Sequence, residues 1–266
     1  MIEVCDLRKE YRISAKKKGF FGSVMHLFAP EYIRKEVVHG ISFHVNAGES
    51  VAFLGANGAG KSTTIKMLTG ILKPTSGQVK VMGMNPFEER MQNAQNIGVI
   101  FGQKSQLWWD IPVIETFKLL KNIYRIQDKQ YQENLQVFCD ILDLDDILQQ
   151  SARELSLGQR VRADIAAALL HNPPVLFLDE PTIGLDVAVK QKIYKFLKYI
   201  NKEKNVTIML TSHDLKDIES VCQRLIILDN GSVLFDDNLK KIYERYPHGT
   251  TLEEIVIKVF NGGKNQ

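Results

Sequence analysis

Long apolar runs are missing from this 266-residue chain. No stretch approaches the roughly 18–20 residues a helix needs to cross a bilayer. The longest uncharged apolar segments, such as Val175–Leu178 and Val206–Leu210, have the length of strands. Cysteine is scarce: Cys5, Cys139 and Cys222 lie far apart with no CxxC or metal-ligand spacing, and read as reduced, mostly buried thiols. Charge of one sign is lacking too. With 34 Lys and Arg against 31 Asp and Glu, the formal net charge of +3 gives too weak a field for a basic nucleic-acid binder, and no nucleic-acid partner is expected. Repeats and low-complexity tracts are absent, and 44% hydrophobic residues exclude disorder as the main state. The opening MIEVCDLRKEY carries no signal-peptide core, so cytoplasmic residence is expected.

What positive charge there is sits in one place. Residues 11–38 hold Arg12, Lys16, Lys17, Lys18, Arg34 and Lys35 against Glu31 and Glu36, a local +4. Within it Phe20, Val24 and Leu27, with Phe21, Met25 and Phe28, recur at spacings of three and four, which predicts a short amphipathic helix before Pro30. Two readings stand: docking onto an anionic membrane surface or a partner within it, or a helix tucked against the domain with its lysines solvated.

Strand-like and helical runs alternate along the rest. Glu49–Leu54, Gln78–Met82, Ile97–Phe101, Val175–Leu178, Thr207–Leu210 and the pair Leu225–Leu228 and Val233–Phe235 read as strands. The last two flank Asp229-Asn230-Gly231, a hairpin signal. A helix is expected from Lys61 to Gly70, a helical block from Pro112 to Gln150, and a final helix over Leu252–Phe260. The fold class is α/β.

Residues 55–62 read GANGAGKS, which fits G-x-x-x-x-G-K-[ST] with a strand before it and a helix after it. Gly55, Gly58 and Gly60 let the backbone turn tightly enough for its N–H groups to surround phosphates, and the following helix points its positive end at the same anion. Lys61 would neutralise the β- and γ-phosphates, and the Ser62 hydroxyl would ligate Mg²⁺. A dinucleotide fingerprint fits worse, because its third glycine position holds Thr63. Further on, the apolar run Val175–Leu178 ends in Asp179-Glu180. Neighbours on a strand point to opposite sides, so Asp179 is expected in the Mg²⁺ shell and Glu180 nearer the γ-phosphate as general base.

With Leu155-Ser156-Leu157-Gly158-Gln159 the chain resembles the nucleotide-binding subunit of ATP-binding-cassette (ABC) transporters, whose LSGGQ-like signature this is. Physically the segment is a second helix N-terminus, with Ser156 at the N-cap and Gln159 placed for a capping box. Leu157 departs from the usual glycine but leaves Ser156 and Gly158 in place. The resemblance covers about residues 1–235. It implies a phosphate-loop NTPase (RecA-like) α/β core with an antiparallel β subdomain, and one nucleotide-binding domain over 1–266. Within that domain it implies a helical subdomain at about 104–160, a basic amphipathic insert at about 12–37 and a C-terminal extension at about 236–266.

The resemblance also assigns roles. Tyr11 would stack on adenine. Asn57 and Thr63 would join Gly55, Gly58, Gly60, Lys61 and Ser62 around the nucleotide, with Ser156, Gly158 and Gln159 facing the ATP of a second protomer. Gln103 would touch Mg²⁺ and water, beside Ser62 and Asp179 as metal ligands, and His213 would contact the γ-phosphate. Gly184-Leu185-Asp186 matches the loop that crosses the dimer interface. FGQKSQLWWDIPVIETF and the basic insert look like ATPases of ABC-2-type exporters, which would put at least one of Trp108 and Trp109 against the membrane partner. The expected activity is ATP hydrolysis with ATP and Mg²⁺, by a homo- or heterodimer bound to an integral membrane permease at the inner face of the cell membrane. The alternatives are a soluble single-cassette ATPase in a cytosolic complex, such as iron–sulfur assembly, and a regulatory module that binds ATP without hydrolysing it.

Overall fold

The computed structural model describes residues 1–14, 32–102 and 104–262; the amphipathic helix expected over 20–28 and Gln103 lie outside them. The chain begins with two long antiparallel strands, β1 (Ile2–Ser14) and β2 (Tyr32–Val45), which pair Ile2 with Val45 and Ser14 with Tyr32. After the fully buried strand β3 (Ser50–Leu54) and helix α1 (Lys61–Leu68), strand β4 (Ser76–Val81) returns to pair with β1, giving the order β2-β1-β4. Only one face of this sheet is apolar: Ile2, Val4, Leu7, Val38, Ile41, Phe43, Val79 and Val81 are buried, and the residues between them face water. Both ends of the basic stretch, residues 12–14 and 32–37, continue this strand pair.

Helix α2 (Arg90–Asn96) leads into the main sheet, built from β3, β5 (Ile97–Phe101), β6 (Val175–Asp179), β7 (Thr207–Thr211), β8 (Arg224–Asp229) and β9 (Ser232–Asn238). The order is β5-β6-β7-β3-β8-β9, parallel except for the edge strand β9. The turn before β9 has Asn230 at φ 44° and Gly231 at φ 76°, the two positive angles a tight hairpin turn requires. Alternation sorts the strands between two cores. Val51, Phe53, Phe177, Met209 and Ile226 pack with α1 and the antiparallel sheet. Ala52, Leu54, Leu176, Leu178, Ile208, Leu210, Leu225 and Ile227 pack on the other face, against helices.

Those helices are α3 (Val113–Ile123), α4 (Asp128–Leu142), α5 (Leu157–Leu169), α6 (Val187–Glu203), α7 (Leu215–Val221), α8 (Leu239–Glu244) and α9 (Leu252–Gly262). The helical pattern over 112–150 is not continuous. It breaks after Ile123, where Arg125 takes φ 53° and Ile126 turns inward, and ends at Asp143 in the left-handed region. Phe117, Phe138 and Leu142 share one core with Phe196 and the sheet, and so do Leu239, Ile242, Leu252, Ile255 and Val256 of the C-terminal extension. Cys139 and Cys222 are buried as expected, whereas Cys5 is exposed because β1 turns it to the solvent face. Among the described residues no helix is long and apolar enough to cross a membrane.

His171, just beyond α5, stacks on Tyr124 with ring centroids 4.0 Å apart, and its Nε2 lies 3.2 Å from the Ile97 carbonyl. Burial pushes its pKa down to about 4 from 6.5. A base whose folded pKa is depressed favours folding above the unfolded value and loses that contribution as pH falls toward the folded one. Denaturant titrations at pH 7, 5.5 and 4 are expected to show a His171-dependent loss on the order of 3 kcal/mol. The variant His171→Phe removes that part of the slope.

Candidate functional site

The loop between β3 and α1 has no room for side chains at its base: a Cβ on Gly55 would sit 2.4 Å from the Leu228 carbonyl oxygen. Gly58 and Gly60 take φ 85° and 101°, left-handed conformations that glycine adopts without strain. Gly60 also lies against the Val37 carbonyl, so β2 backs the loop. No acidic residue occupies the first turn of α1 and no side chain caps it, which leaves its N-terminus open to an anion. Asn57 is exposed at the loop tip, and Thr63 is half-buried in the first turn of the helix. Lys61 is buried and folds back to donate to the carbonyls of Gly55 at 2.6 Å and Ala56 at 3.2 Å. Burial lowers its pKa, opposed by the negative charges of Glu180 and Asp179.

The end of β6 meets this loop. Ser62 Oγ donates to Asp179 Oδ1 at 3.1 Å, and Thr211 Oγ1, at the end of β7, donates to the same oxygen at 2.6 Å. Glu180 has left the strand: its φ is 53°, and its N–H reaches both the carbonyl and the hydroxyl oxygen of Thr211 at 3.0 Å. This left-handed step takes the place of the strand alternation expected for the two carboxylates. His213 Nδ1 lies 3.6 Å from Glu180 Oε1, both side chains being partly open to solvent. Ser62, Lys66, Phe101, Gly102, Lys104, Asp179 and Glu180 line a cavity of about 490 Å³ with Ile71 and Ile183. Gly102 donates its N–H to the Asp179 carbonyl at 2.7 Å.

The residues expected to serve a second protomer form a separate group. Ser156 caps α5 in a complete capping box: its Oγ accepts from the Gln159 N–H at 3.3 Å, and its own N–H donates to Gln159 Oε1 at 2.8 Å. Gly158 packs against Val189, where an added Cβ would come within 3.1 Å, and the half-exposed Leu157 covers Gly184. Among the described residues, no hydrogen bond or ion pair joins Ser156, Gly158 or Gln159 to the phosphate loop, Asp179, Glu180 or His213. Tyr11 lies on β1 opposite Lys35, two residues along β2 from the Val37 that backs the loop, with Lys9 Nζ 5.5 Å from its ring centroid. Thr211 ties the ends of β6 and β7 together and escaped the sequence reading. For Thr211 the available signal was its place just before Ser212-His213 at the end of an apolar strand.

The family model described as "ABC transporter" matches residues 38–183. The chain belongs to the ABC transporter family. The cassette binds ATP and hydrolyses it, as an ATP-binding subunit. The bacitracin transport ATP-binding protein BcrA of Bacillus licheniformis is 35% identical over 216 residues, covering 80% of this chain and 69% of that protein. A solved ATP binding subunit of an ABC transporter superposes with a TM-score of 0.80 at 25% identity, covering 97% of this chain and 99% of the other. The dimeric post-hydrolysis structure of the ATP-binding cassette MJ0796 bound to ADP and Pi gives 0.73 at 26% identity, with 90% and 99% covered.

Gly55 and Gly58 are constrained for different reasons. The Gly55→Ala substitution forces a methyl into a backbone oxygen and is expected to cost about 3 kcal/mol in denaturant unfolding. Gly58→Ala, which meets no neighbour within 4 Å but must hold a positive φ, is expected to cost about 1 kcal/mol.

Proposed function

We propose that two cassettes close around ATP and drive substrate movement, in the direction of export, through a separate membrane permease, working at the inner face of the cell membrane. The carrying observation is the division of the site. Lys61, Ser62, Asp179, Glu180 and His213 gather at one sheet edge, while the capped start of α5, a second positive helix end, makes no bond to them among the described residues. Ser156, Gly158 and Gln159 would complete the site of the opposing protomer, as the dimeric MJ0796 cassette supports. The likeness to BcrA, a bacitracin transport ATP-binding protein, supports a transporter over a soluble cytosolic complex, and the resemblance of FGQKSQLWWDIPVIETF to ABC-2-type exporter ATPases supports export.

Ser62 and Asp179 are hard oxygen donors held 3.1 Å apart, a pair that fits Mg²⁺, and Gln103 joins them in this reading. When bound, Mg²⁺ would neutralise charge on the β- and γ-phosphates. Lys61 exchanges the carbonyls of Gly55 and Ala56 for phosphate oxygens, and the incoming anion offsets the burial that lowers its pKa. Glu180 takes a proton from the attacking water, and His213 beside it holds the γ-phosphate side of that geometry. Tyr11 supplies the ring for adenine. Trp108 and Trp109, each 50% exposed ahead of α3, offer the surface for the permease. Arg160 of α5 lies 4.7 Å from the Trp109 ring and links that surface to the start of the signature helix.

Glu180→Gln is expected to bind ATP normally, to accumulate as an ATP-dependent dimer on size exclusion, and to lose about 100-fold or more in phosphate release. Retention of wild-type turnover would remove Glu180 from its role. Lys61→Ala is expected to weaken ATP binding by about tenfold or more in equilibrium titration.

A further inference from the structure

One buried carboxylate outside the site touches both of the loops that carry it. Asp217, on α7, is 1% exposed. Its Oδ2 accepts from Thr182 Oγ1 and from Ser212 Oγ, the latter at 2.6 Å. Its Oδ1 accepts from Tyr194 OH and from Lys190 Nζ at 3.4 Å, both on α6. An ionised carboxylate has about four lone-pair positions, and here each meets a donor. Lys190 supplies the countercharge that makes burying the anion tolerable, and it also pairs with Asp214 at 2.6 Å.

The positions of two of these donors give the cluster its meaning. Thr182 lies two residues after Glu180, and Ser212 immediately precedes His213. The Ser212 hydroxyl also accepts the Asp214 N–H at 3.0 Å, so one oxygen brackets His213 from both sides. Upstream, the Glu180 N–H is held by Thr211. The left-handed Glu180 is therefore tied on one side by Thr211 and on the other by Thr182, and Asp217 Oδ2 accepts from its loop and from the histidine loop at once.

We infer that Asp217 is a positioning residue for hydrolysis, setting the spacing between Glu180 and His213 through Thr182 and Ser212 without touching nucleotide. The inference rests on the roles given above to Glu180 and His213. All four partners of Asp217 donate, so an amide in its place keeps the volume but sets a donor against donors on one side. The phosphate loop contributes nothing to the cluster, so ATP affinity is left to Lys61 and its neighbours.

The test is steady-state phosphate release by the full chain, read as kcat and KM for ATP beside thermal melting. It uses Asp217→Asn, Thr182→Val, Ser212→Ala, Tyr194→Phe and Glu180→Gln. Asp217→Asn is expected to lose at least about tenfold in kcat with KM within about threefold, because transition-state geometry is lost and ground-state binding is not. Thr182→Val and Ser212→Ala should each lose several-fold in kcat, and they keep the question answerable if Asp217→Asn does not fold. Tyr194→Phe removes a tie from α6 that reaches neither loop, so it should lower the melting temperature more than kcat. Wild-type kcat in Thr182→Val and Ser212→Ala, or a kcat that follows melting temperature through all four cluster variants, would overturn the inference while an inactive Glu180→Gln leaves the site reading standing. A fully active Glu180→Gln would take both down.

Discussion

Asp179 is the joint on which the site is assembled. Its carboxylate accepts from Ser62, at the start of α1, and from Thr211, at the end of β7, while its carbonyl accepts from Gly102, just after β5. Two strand ends and the start of α1 are thereby fixed to one residue at the carboxyl edge of the parallel sheet, the edge where loops of such sheets converge on ligands. Strand order makes this necessary. β7 lies between β6 and β3, so those two strands do not pair, and Asp179 spans the gap by accepting from Ser62 directly and from Thr211 on the strand between. A carboxylate that answers to both can register whatever binds at Ser62 in the loops beyond β6 and β7.

The two cores give that joint unequal surroundings. On one face of the main sheet α1 and the antiparallel sheet pack tightly around Phe53 and Phe177, and β2 presses its backbone on Gly60. The phosphate loop is backed by β2 on that side as a result. On the other face the sheet, α3 to α6 and the C-terminal helices share a single cluster. Displacement at the sheet edge has a continuous path into α5 and the helices before it, because close-packed interiors transmit strain.

Local signals made much of this readable from the amino acids. The phosphate loop declares itself because glycine, lysine and serine act within eight neighbouring residues, and the buried strands because Val175–Leu178 and Ile208–Leu210 leave no polar position to face water. The cap on α5 was legible for the same reason, since Ser156 and Gln159 lie three residues apart. The long pair β1 and β2 was not: its inward residues alternate with Lys, Arg, Glu and His, and its register shifts near Leu7 and Lys9 blur the period. The Asp217 cluster was hidden as well, because Thr182 reaches it across 35 residues and only the topology brings the two together. Glu180 reads in sequence as the next strand residue, and its left-handed turn appears only once Thr211 is seen to hold its N–H.

Trp108 and Trp109 are the only tryptophans in the chain, adjacent and half open to water, with the Arg160 guanidinium against one of them. Indole emission from this protein therefore originates at a single spot, free of any background from the interior. Its wavelength reports how wet that spot is, and its intensity how the neighbouring cation sits. The molecule carries its own optical gauge of the helical face, readable without attaching a dye.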